Sequence, residues 1–527
     1  MNATDIAYST AKYTILIAVP YFLLLLSYRV FFHPLRKYPG PLIAKVSDAY
    51  AGYYAISKRL HLTTYLDIER YGPVLRHGPN RLVFSTAQAV QDIYNNERVT
   101  KGNVYGLTVR SGKPSIFNAI DKRKHRNKRR VVGQAINDKA MRAFEPTMMD
   151  QIDVFLGQLL KSSHNSSPID ISDRSKRLGM DIVGQLAFGY ALDTQTVPTN
   201  QFMIDGLKAG QYRNNCFMQF PFLKKSGLDY LVLLFAGASQ RMKYLQLFQR
   251  MISNRLTQDK HAKNDLYSFV VDHLDDTDGV PLSDLWSEAL FFFPAGGDTT
   301  ATAISALFFY LSRNPNVYNK LADEIRTTFG SAAEIRTSPQ LSSCQYLRAC
   351  IDEALRMTPP VSGTPWRELY DEEWKNGPFI VDGHVVPRGT QVGVSMYAVH
   401  HNEKYFPEPF VFRPERWLDA DEATLSRMNA AFSPFSIGGR GCAGKAMAYL
   451  ESSLVIAKTL WYFDFEKAPG KLGEVGGGVL GKTDGRGRPE EFQLWDCFGS
   501  LHDGPNLIFH PRGDFCSEIN IKAPTNP

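Results

Sequence analysis

The sequence predicts a mainly α-helical protein with small β-sheets and one N-terminal transmembrane helix. Three observations carry that expectation. Most of the chain beyond residue 46 repeats apolar residues at helical spacing between short polar breaks. Extended, β-rich runs are few. Residues 14–32, TILIAVPYFLLLLSYRVFF, are almost entirely apolar. With 527 residues, 44% hydrophobic and 21% charged, the composition has room for a large core and excludes disordered and collagen-like chains. No Pro/Gly/Ser linker separates domains and no fixed period repeats, so one large unit is expected after the anchor.

At 1.5 Å per residue the apolar stretch spans about 28 Å, close to the thickness of a bilayer core. Arg29 can snorkel, and Arg36 and Lys37 on the C-terminal flank put the body on the cytoplasmic side. No small-residue cleavage site follows, so residues 1–33 are expected as a retained anchor. Pro34, Pro39 and Pro41 cannot continue a helix, and residues 34–45 are expected as a stiff, extended hinge. Residues 46–527 form the body.

Within the body, residues 140–161 have helical periodicity, broken by the polar SSHNSSP. Ser283 can cap a long helix running to Arg313 and ended by Asn314-Pro315. Residues 344–357 predict another helix, closed by Pro359-Pro360. Residues 381–397 read as extended: a turn at Asp382-Gly383 precedes the β-rich QVGVSMY. Residues 445–462 are again helical. Eight glycines between 470 and 487 predict a flexible surface loop.

The net charge is +7, and KRKHRNKRR at 122–130 holds seven Lys or Arg in nine positions. Such a run is usually a solvated face. It lacks interleaved aromatics and any nucleic-acid fold signature, so no nucleic-acid partner is expected; an acidic protein partner fits better. The six cysteines, at 216, 344, 350, 442, 497 and 516, contain no CxxC pair and fit neither a zinc site nor a disulfide framework. Most read as buried small hydrophobes in a reducing compartment.

Cys442 differs. It lies in FSIGGRGCAG, residues 435–444, where four glycines let the backbone approach a flat ligand and turn sharply. A helix starting after Gly444 aims its free N–H groups at the sulfur, which favours the thiolate. Gly439-x-Gly441-x-x-Gly444, with Asp464 about 20 positions on, also spells a dinucleotide fingerprint; without a strand ahead or a βαβ unit it is weak. Elsewhere, Glu353 and Arg356 share a helix face at i and i+3. AGGDTT, from Ala295 to Thr300, sets poor helix formers inside a long helix, and Pro294 removes one more donor, so a kink is expected there.

The pattern Phe435-x-x-Gly438-x-Arg440-x-Cys442-x-Gly444 resembles the haem-binding loop of the cytochrome P450 family. Glu353-x-x-Arg356, Arg416 in FRPERW, AGGDTT and His125-x-x-x-Arg129 resemble further family motifs in the family's order, His125 replacing the usual Trp. The likeness runs from the anchor to GPNLIFHPR, and HPLRKYPGP, AGGDTT and PPVSGTPWRE look most like fungal microsomal members. It implies the cytochrome P450 fold, and residues 46–527 as a haem-binding monooxygenase domain. Cys442 would ligate the iron of haem b, with Phe435 shielding the sulfur and Gly438 and Gly444 shaping the loop. Arg440, Arg129, His125 and Arg367 would meet the haem propionates, and Glu353, Arg356 and Arg416 would lock the core. Asp298 and Thr299 would deliver protons to dioxygen. Ala295, Val361 and Thr364 would line the substrate pocket, with walls from residues 104–117, 214–222, 360–364 and around Leu501. The reaction implied is oxidation of an apolar organic substrate with O2 and electrons from an NADPH-dependent reductase, at the endoplasmic reticulum membrane, in fungal secondary metabolism. A haem-thiolate isomerase or dehydratase is the alternative; a dinucleotide-binding reductase is a remote one.

Overall fold

The computed structural model describes residues 3–109, 112–229, 238–271 and 282–519; Arg110 and Ser111, inside one expected pocket wall, lie outside the described residues. The anchor helix runs from Ala3–Ser27 and continues as a π-helical turn, Tyr28–Phe32. It begins ahead of the apolar stretch. Its segment Tyr8–Phe32 has a mean hydropathy of 2.1, is 0% buried, and is long and apolar enough to cross a membrane.

The hinge is not extended throughout. Arg36 N donates to His33 O at 2.9 Å and Tyr38 N to Leu35 O at 3.2 Å, so the chain turns. Leu35 and Tyr38 are buried, and Arg76 N donates to Pro39 O at 2.7 Å. Burial of those two side chains draws the segment onto the body. A short helix, Leu42–Val46, then leads into Ala49–Ile56.

The body is dominated by helices, with a five-stranded sheet to one side. In sheet order its strands are Val74–Gly78, Arg81–Phe84, Gln391–Val394, Arg367–Leu369 and Val99–Lys101; the second and third run parallel, the other neighbours antiparallel. The expected turn at Asp382-Gly383 joins the hairpin strands Phe379–Val381 and His384–Val386, with φ of 47° and 74°. The extended run nevertheless stops at Val394. The Ser395 side chain accepts from Ala398 N and caps a helix, Met396–His400, so Met396 and Tyr397 are helical. A local cap outweighs their β propensity.

Helices Asp138–Ser163, Gln345–Met357 and Lys445–Tyr462 match the expected periodicity. The long helix comes in three pieces: Leu282–Phe292, a π-helical turn Phe293–Asp298, and Thr299–Leu311. Ser283 lies inside the first piece rather than ahead of it. Pro315 opens the next helix after Asn314. The segment 470–487 is not a loose loop. Gly478 N donates to Arg488 O at 2.9 Å and Val479 N to Arg486 O at 2.8 Å. A Cβ on Gly477 would stand 2.3 Å from Pro489 O, so that glycine serves close backbone packing.

The largest apolar core lies around helices Ile171–Phe188, Thr299–Leu311 and Lys445–Tyr462. Gly179 meets the π turn so closely that a Cβ would stand 2.3 Å from Gly297 O. Gly157, in Asp138–Ser163, has nothing within 4 Å of the same position. Gly179→Ala is therefore expected to cost about 1–3 kcal/mol by overpacking. Gly157→Ala should leave stability unchanged or raise it by about 1 kcal/mol through helix propensity. Denaturant unfolding of the two variants checks the contrast; equal midpoints would remove the close approach as a constraint.

Candidate active site

The segment after Ser433 forms a tight turn, Gly438–Arg440, with Gly441 N donating to Gly438 O at 3.0 Å and Cys442 N to Phe435 O at 2.8 Å. Gly438 has φ +70°, and a Cβ there would meet Tyr94 O at 2.2 Å, so only glycine fits. Gly444 is the N-cap of helix Lys445–Tyr462; a Cβ on it, or on Gly439, would meet nothing within 4 Å. The loop thus offers an open backbone cradle beside the sulfur. Cys442 is exposed, whereas the other five cysteines are free and buried. Burial in the surrounding cleft pushes its thiol up, opposed by the Gly444 N–H, Arg129 and Lys445. The helix-start N–H does favour the thiolate, as the sequence implies, but desolvation opposes it and is the larger effect. The Phe435 ring lies 5.2 Å from that of Tyr449.

No strand precedes this glycine run, and Asp464 accepts from Tyr318 at 2.8 Å and Arg326 at 2.6 Å, away from the loop. The dinucleotide alternative is excluded by that geometry.

Around the loop stands a group of basic side chains. Arg440 donates to Ile120 O at 2.9 Å and Thr100 Oγ1 at 3.1 Å, and Arg129 to Gly441 O at 2.7 Å. His125 is buried on helix Lys122–Ala135, one turn before Arg129. Arg367 is buried on its strand, donating to Trp366 O at 3.1 Å. Lys101, directly across from Arg367 in the antiparallel pair, is buried as well. None of these five makes an ion pair among the described residues. Desolvation, then Arg440 and Lys101, hold His125 down at about 3. Desolvation and Arg367 hold Arg440 at about 10, and Lys101 is pushed well below its usual range by burial, Arg367 and Arg440. Like charges buried together disfavour one another, so the cluster is arranged for an anion. Lys101 was not legible as a site residue; its signal is the pairing register, not a motif.

The expected basic face is only half a face. Lys128 turns inward to Asp284 at 2.9 Å and Glu288 at 3.0 Å on the long helix. Arg123, Lys124, Arg126 and Arg130 remain exposed on the same helix.

Behind the cysteine loop, Glu353 and Arg356 are fully buried and pair through two bonds of 2.9 Å. Arg416 Nε reaches the same carboxylate at 2.8 Å, Trp417 Nε1 at 3.0 Å and Arg413 N at 3.1 Å. Burial alone would raise the Glu353 carboxyl; Arg356 and Arg416 overcome it and hold the group below its ordinary value. Trp417 and the Arg413 backbone complete a site of which sequence reasoning saw three members.

On the long helix, Thr299 Oγ1 donates to Ala295 O at 2.5 Å, across the π turn. Asp298 is buried and accepts from Gln211 Nε2 at 3.0 Å; burial raises its carboxyl, with Lys176 opposing. A small cavity lined by Lys176, Met180, Ile204, Leu207, Gly297 and Asp298 adjoins it. Two of the expected wall segments, residues 360–364 and the stretch around Leu501, are joined by hydrogen bonds. Ser500 N donates to Pro360 O at 2.8 Å, its hydroxyl to Ser362 at 3.0 Å, and Thr302 Oγ1 to Ser500 O at 3.4 Å. Near Leu501 the residue that packs against the 104–117 wall is Phe498. Trp495 and Leu501 close the neck of a hairpin, and Phe498 occupies its tip at φ 75°, held by Phe498 N donating to Asp496 Oδ1 at 3.0 Å. Its ring lies 5.0 Å from Phe117, which stacks on Phe291 at 5.2 Å. Val361 is half-buried. Thr364 is buried, its methyl against Gly393. Phe222, the last residue of the expected 214–222 wall, points to the surface instead, 57% exposed.

Fold and site define a monooxygenase enzyme, built around one accessible cysteine and a buried basic cradle for a flat anionic cofactor. The chain belongs to the cytochrome P450 family, whose model, described as Cytochrome P450, matches residues 56–474. It is 33% identical over 519 residues to the cytochrome P450 monooxygenase AKT7 of Alternaria alternata, covering 96% of this chain and 98% of the relative. It is 34% identical to apf7 of Gibberella fujikuroi, covering 92% and 95%, and 34% identical to poxM of Penicillium oxalicum, covering 85% and 87%; both are named cytochrome P450 monooxygenases. The family's cofactor is haem iron. The unpaired bases fit its propionates, and the cradle at Gly439 and Gly444 fits its flat ring.

Two outcomes follow from these charges. Glu353→Gln leaves buried arginines without their counter-charge and should cost about 3–5 kcal/mol, read as loss of folded, soluble yield; a variant as stable as the parent would contradict the network's structural role. Lys101→Met should stabilise the haem-free protein by relieving repulsion, yet speed haem loss to an acceptor globin. Shifts of the same sign in both assays would exclude Lys101 as an anion partner.

Proposed function

We propose that this protein is a membrane-anchored haem-thiolate monooxygenase that oxidises an apolar organic substrate in fungal secondary metabolism. Residues 1–33 serve as anchor, 34–45 as hinge and 46–527 as the haem-binding domain, facing the cytoplasm from the endoplasmic reticulum. The observation that carries the reading is Cys442: the exposed cysteine at a helix start, beside buried Lys101, His125 and Arg367 and half-buried Arg129 and Arg440, none of which makes an ion pair among the described residues.

Bound haem, ligated through sulfur, supplies dioxygen binding and O–O cleavage. The chain supplies the rest. Cys442 Sγ would ligate the iron, with Gly438, Gly444 and Phe435 shaping and shielding its loop. Arg440, Arg129, Arg367, His125 and Lys101 hold the propionates. Asp298, raised by burial, keeps a proton more readily than an exposed aspartate and passes it on beside the Thr299 hydroxyl. The bond from Thr299 Oγ1 to Ala295 O fixes that hydroxyl at the π turn. Ala295, Val361, Thr364, Phe117 and Phe498 bound an apolar pocket, which suits a terpenoid, polyketide or aromatic substrate and excludes water. Arg123, Lys124, Arg126 and Arg130 offer a basic surface for an acidic, NADPH-dependent reductase. An isomerase or dehydratase has no use for the Asp298–Thr299 pair, whose presence favours oxygenation.

The reduced protein with carbon monoxide should give the thiolate-type Soret band, and Cys442→Ser should lose it. With reductase and substrate, Thr299→Ala should lower product formed per NADPH on the order of tenfold or more and release peroxide instead. Undiminished coupling in that variant would falsify the role given to Thr299.

A further inference from the structure

Glu288 lies on the first piece of the long helix, and its side chain is 0% exposed. A carboxylate buried in this way is costly unless it is paired and hydrogen-bonded. Lys128 Nζ, on a side chain only 4% exposed, stands 3.0 Å from Glu288 and 2.9 Å from Asp284, and so answers the charge. Burial raises the Glu288 carboxyl, and Lys128 and the Ile116 N–H oppose the rise. A strut between helices Leu282–Phe292 and Lys122–Ala135 would need nothing more than the ion pair.

The carboxylate does more. Ile116 N donates to both of its oxygens, at 3.1 and 2.8 Å. Ile116 belongs to an irregular stretch, residues 112–120, between the short helix Asn103–Thr108 and helix Lys122–Ala135. A buried backbone N–H has to find an acceptor. Asn118 N and Ala119 N find theirs within the stretch, on Ser115 O at 3.1 and 2.9 Å, whereas Ile116 N finds its own on another element. One residue further on, Lys101 Nζ donates to Phe117 O. A charged side chain thus holds the backbone on each flank of the Phe117 ring.

That ring meets the helix that carries Glu288. Asp284, Glu288 and Phe291 stand at i, i+4 and i+7, on one face. Phe117 stacks on Phe291, with centroids 5.2 Å apart and planes 18° from parallel. Farther along the same helix Phe291, Ala295 and Thr299 are all half-buried, four residues apart. Phe117 and Phe498 are half-buried as well, their rings 5.0 Å apart.

We propose that Glu288 is a positioning residue: its carboxylate, neutralised by Lys128, fixes the Ile116 backbone and so sets how far the Phe117 ring reaches over the stretch from Ala295 to Thr299. This deepens the monooxygenase reading, which supplies the pocket, and rests on it. A shift at Ile116 is passed to Phe117 and changes which ligands fit by their bulk.

Two charge-free double variants separate positioning from a strut. Glu288→Gln with Lys128→Met (E288Q/K128M) removes the ion pair but keeps an oxygen acceptor for Ile116 N. Glu288→Met with Lys128→Met (E288M/K128M) removes the acceptor too. Replacing a buried ion pair by uncharged groups of similar volume is often neutral, so both should fold. The first readout needs no cofactor. Hydrogen exchange in peptides covering residues 112–121 of the haem-free full chain should be on the order of tenfold faster in E288M/K128M and like the parent in E288Q/K128M. The second readout is the Soret shift of the haem-loaded protein with two azoles of different bulk, imidazole and phenylimidazole. The dissociation constant of phenylimidazole should change severalfold in E288M/K128M alone, and that of imidazole in neither. Equal exchange in the two double variants overturns the clamp. Faster exchange with unaltered phenylimidazole binding overturns its role toward ligands, and so does an equal change for both azoles, which marks general damage. A parent chain that takes up no haem sinks the monooxygenase reading and the ligand role with it, while the exchange contrast still decides whether Glu288 holds Ile116.

Discussion

Buried charge must be balanced, and much of this structure is organised by that requirement. Glu353 is fully buried and accepts five hydrogen bonds, three of them from the guanidinium groups of Arg356 and Arg416, so its desolvation is answered within the protein. Arg356 continues the network to His400 O at 2.9 Å, and Arg416 to Pro407 O at 2.9 Å. One carboxylate thereby ties the helix Gln345–Met357 to the segment before Trp417 and to the helix carrying His400. Close by, the opposite solution is used. Lys101, His125, Arg129, Arg367 and Arg440 gather without an ion-pair partner among the described residues, and their mutual repulsion would be relieved by an anion. The balanced network supplies the rigid frame that lets the unbalanced one persist.

Backbone geometry makes a second store. Pro294 lacks an N–H, and Gly296 and Gly297 carry no side chains, so the long helix widens into a π turn where Gly179 presses against Gly297. Had either of the latter two glycines a Cβ, the helices would part by a few tenths of an ångström or more. The turn orients successive residues oppositely: Thr299 bonds across it to Ala295, while Asp298 faces Gln211 and Lys176 on other helices. A regular helix of good formers would give neither the close approach nor that division of roles.

Much of the site was legible because its members lie in short motifs: Cys442 with its glycines, Glu353 with Arg356, Asp298 with Thr299. Pro294 and the two glycines announced the kink. What escaped notice depends on register and packing rather than on spacing. Lys101 joins the basic cluster because it opposes Arg367 across two strands. Phe498 meets Phe117 from a hairpin tip at positive φ, held by Asp496. Lys128 looked like surface charge, yet Asp284 and Glu288, some 160 residues on, pull it inside. The glycines of 470–487 read as slack, and Gly476 to Thr483 even spell GxxxxGKT, a phosphate-loop pattern. A short helix, Gly470–Gly473, separates Gly476 from the strand Phe463–Lys467, and no helix opens at Thr483; the same glycines let the backbone fold on Pro489 and Arg488. Composition reports conformational freedom, not how a fold uses it.

The sulfur itself illustrates how opposed effects divide between protein and cofactor. The helix start and the Gly444 N–H favour the thiolate at Cys442, as do Arg129 and Lys445, but burial in the cleft outweighs them and raises the thiol. A protein that made a free thiolate there would expose a reactive nucleophile beside the basic cluster. On the proposed function, deprotonation of the raised thiol would be left to the iron, since a coordinating metal removes the proton outright. The two halves of the site would then depend on one another: the basic groups would receive the carboxylates of the cofactor, and its iron would complete the charge of the cysteine.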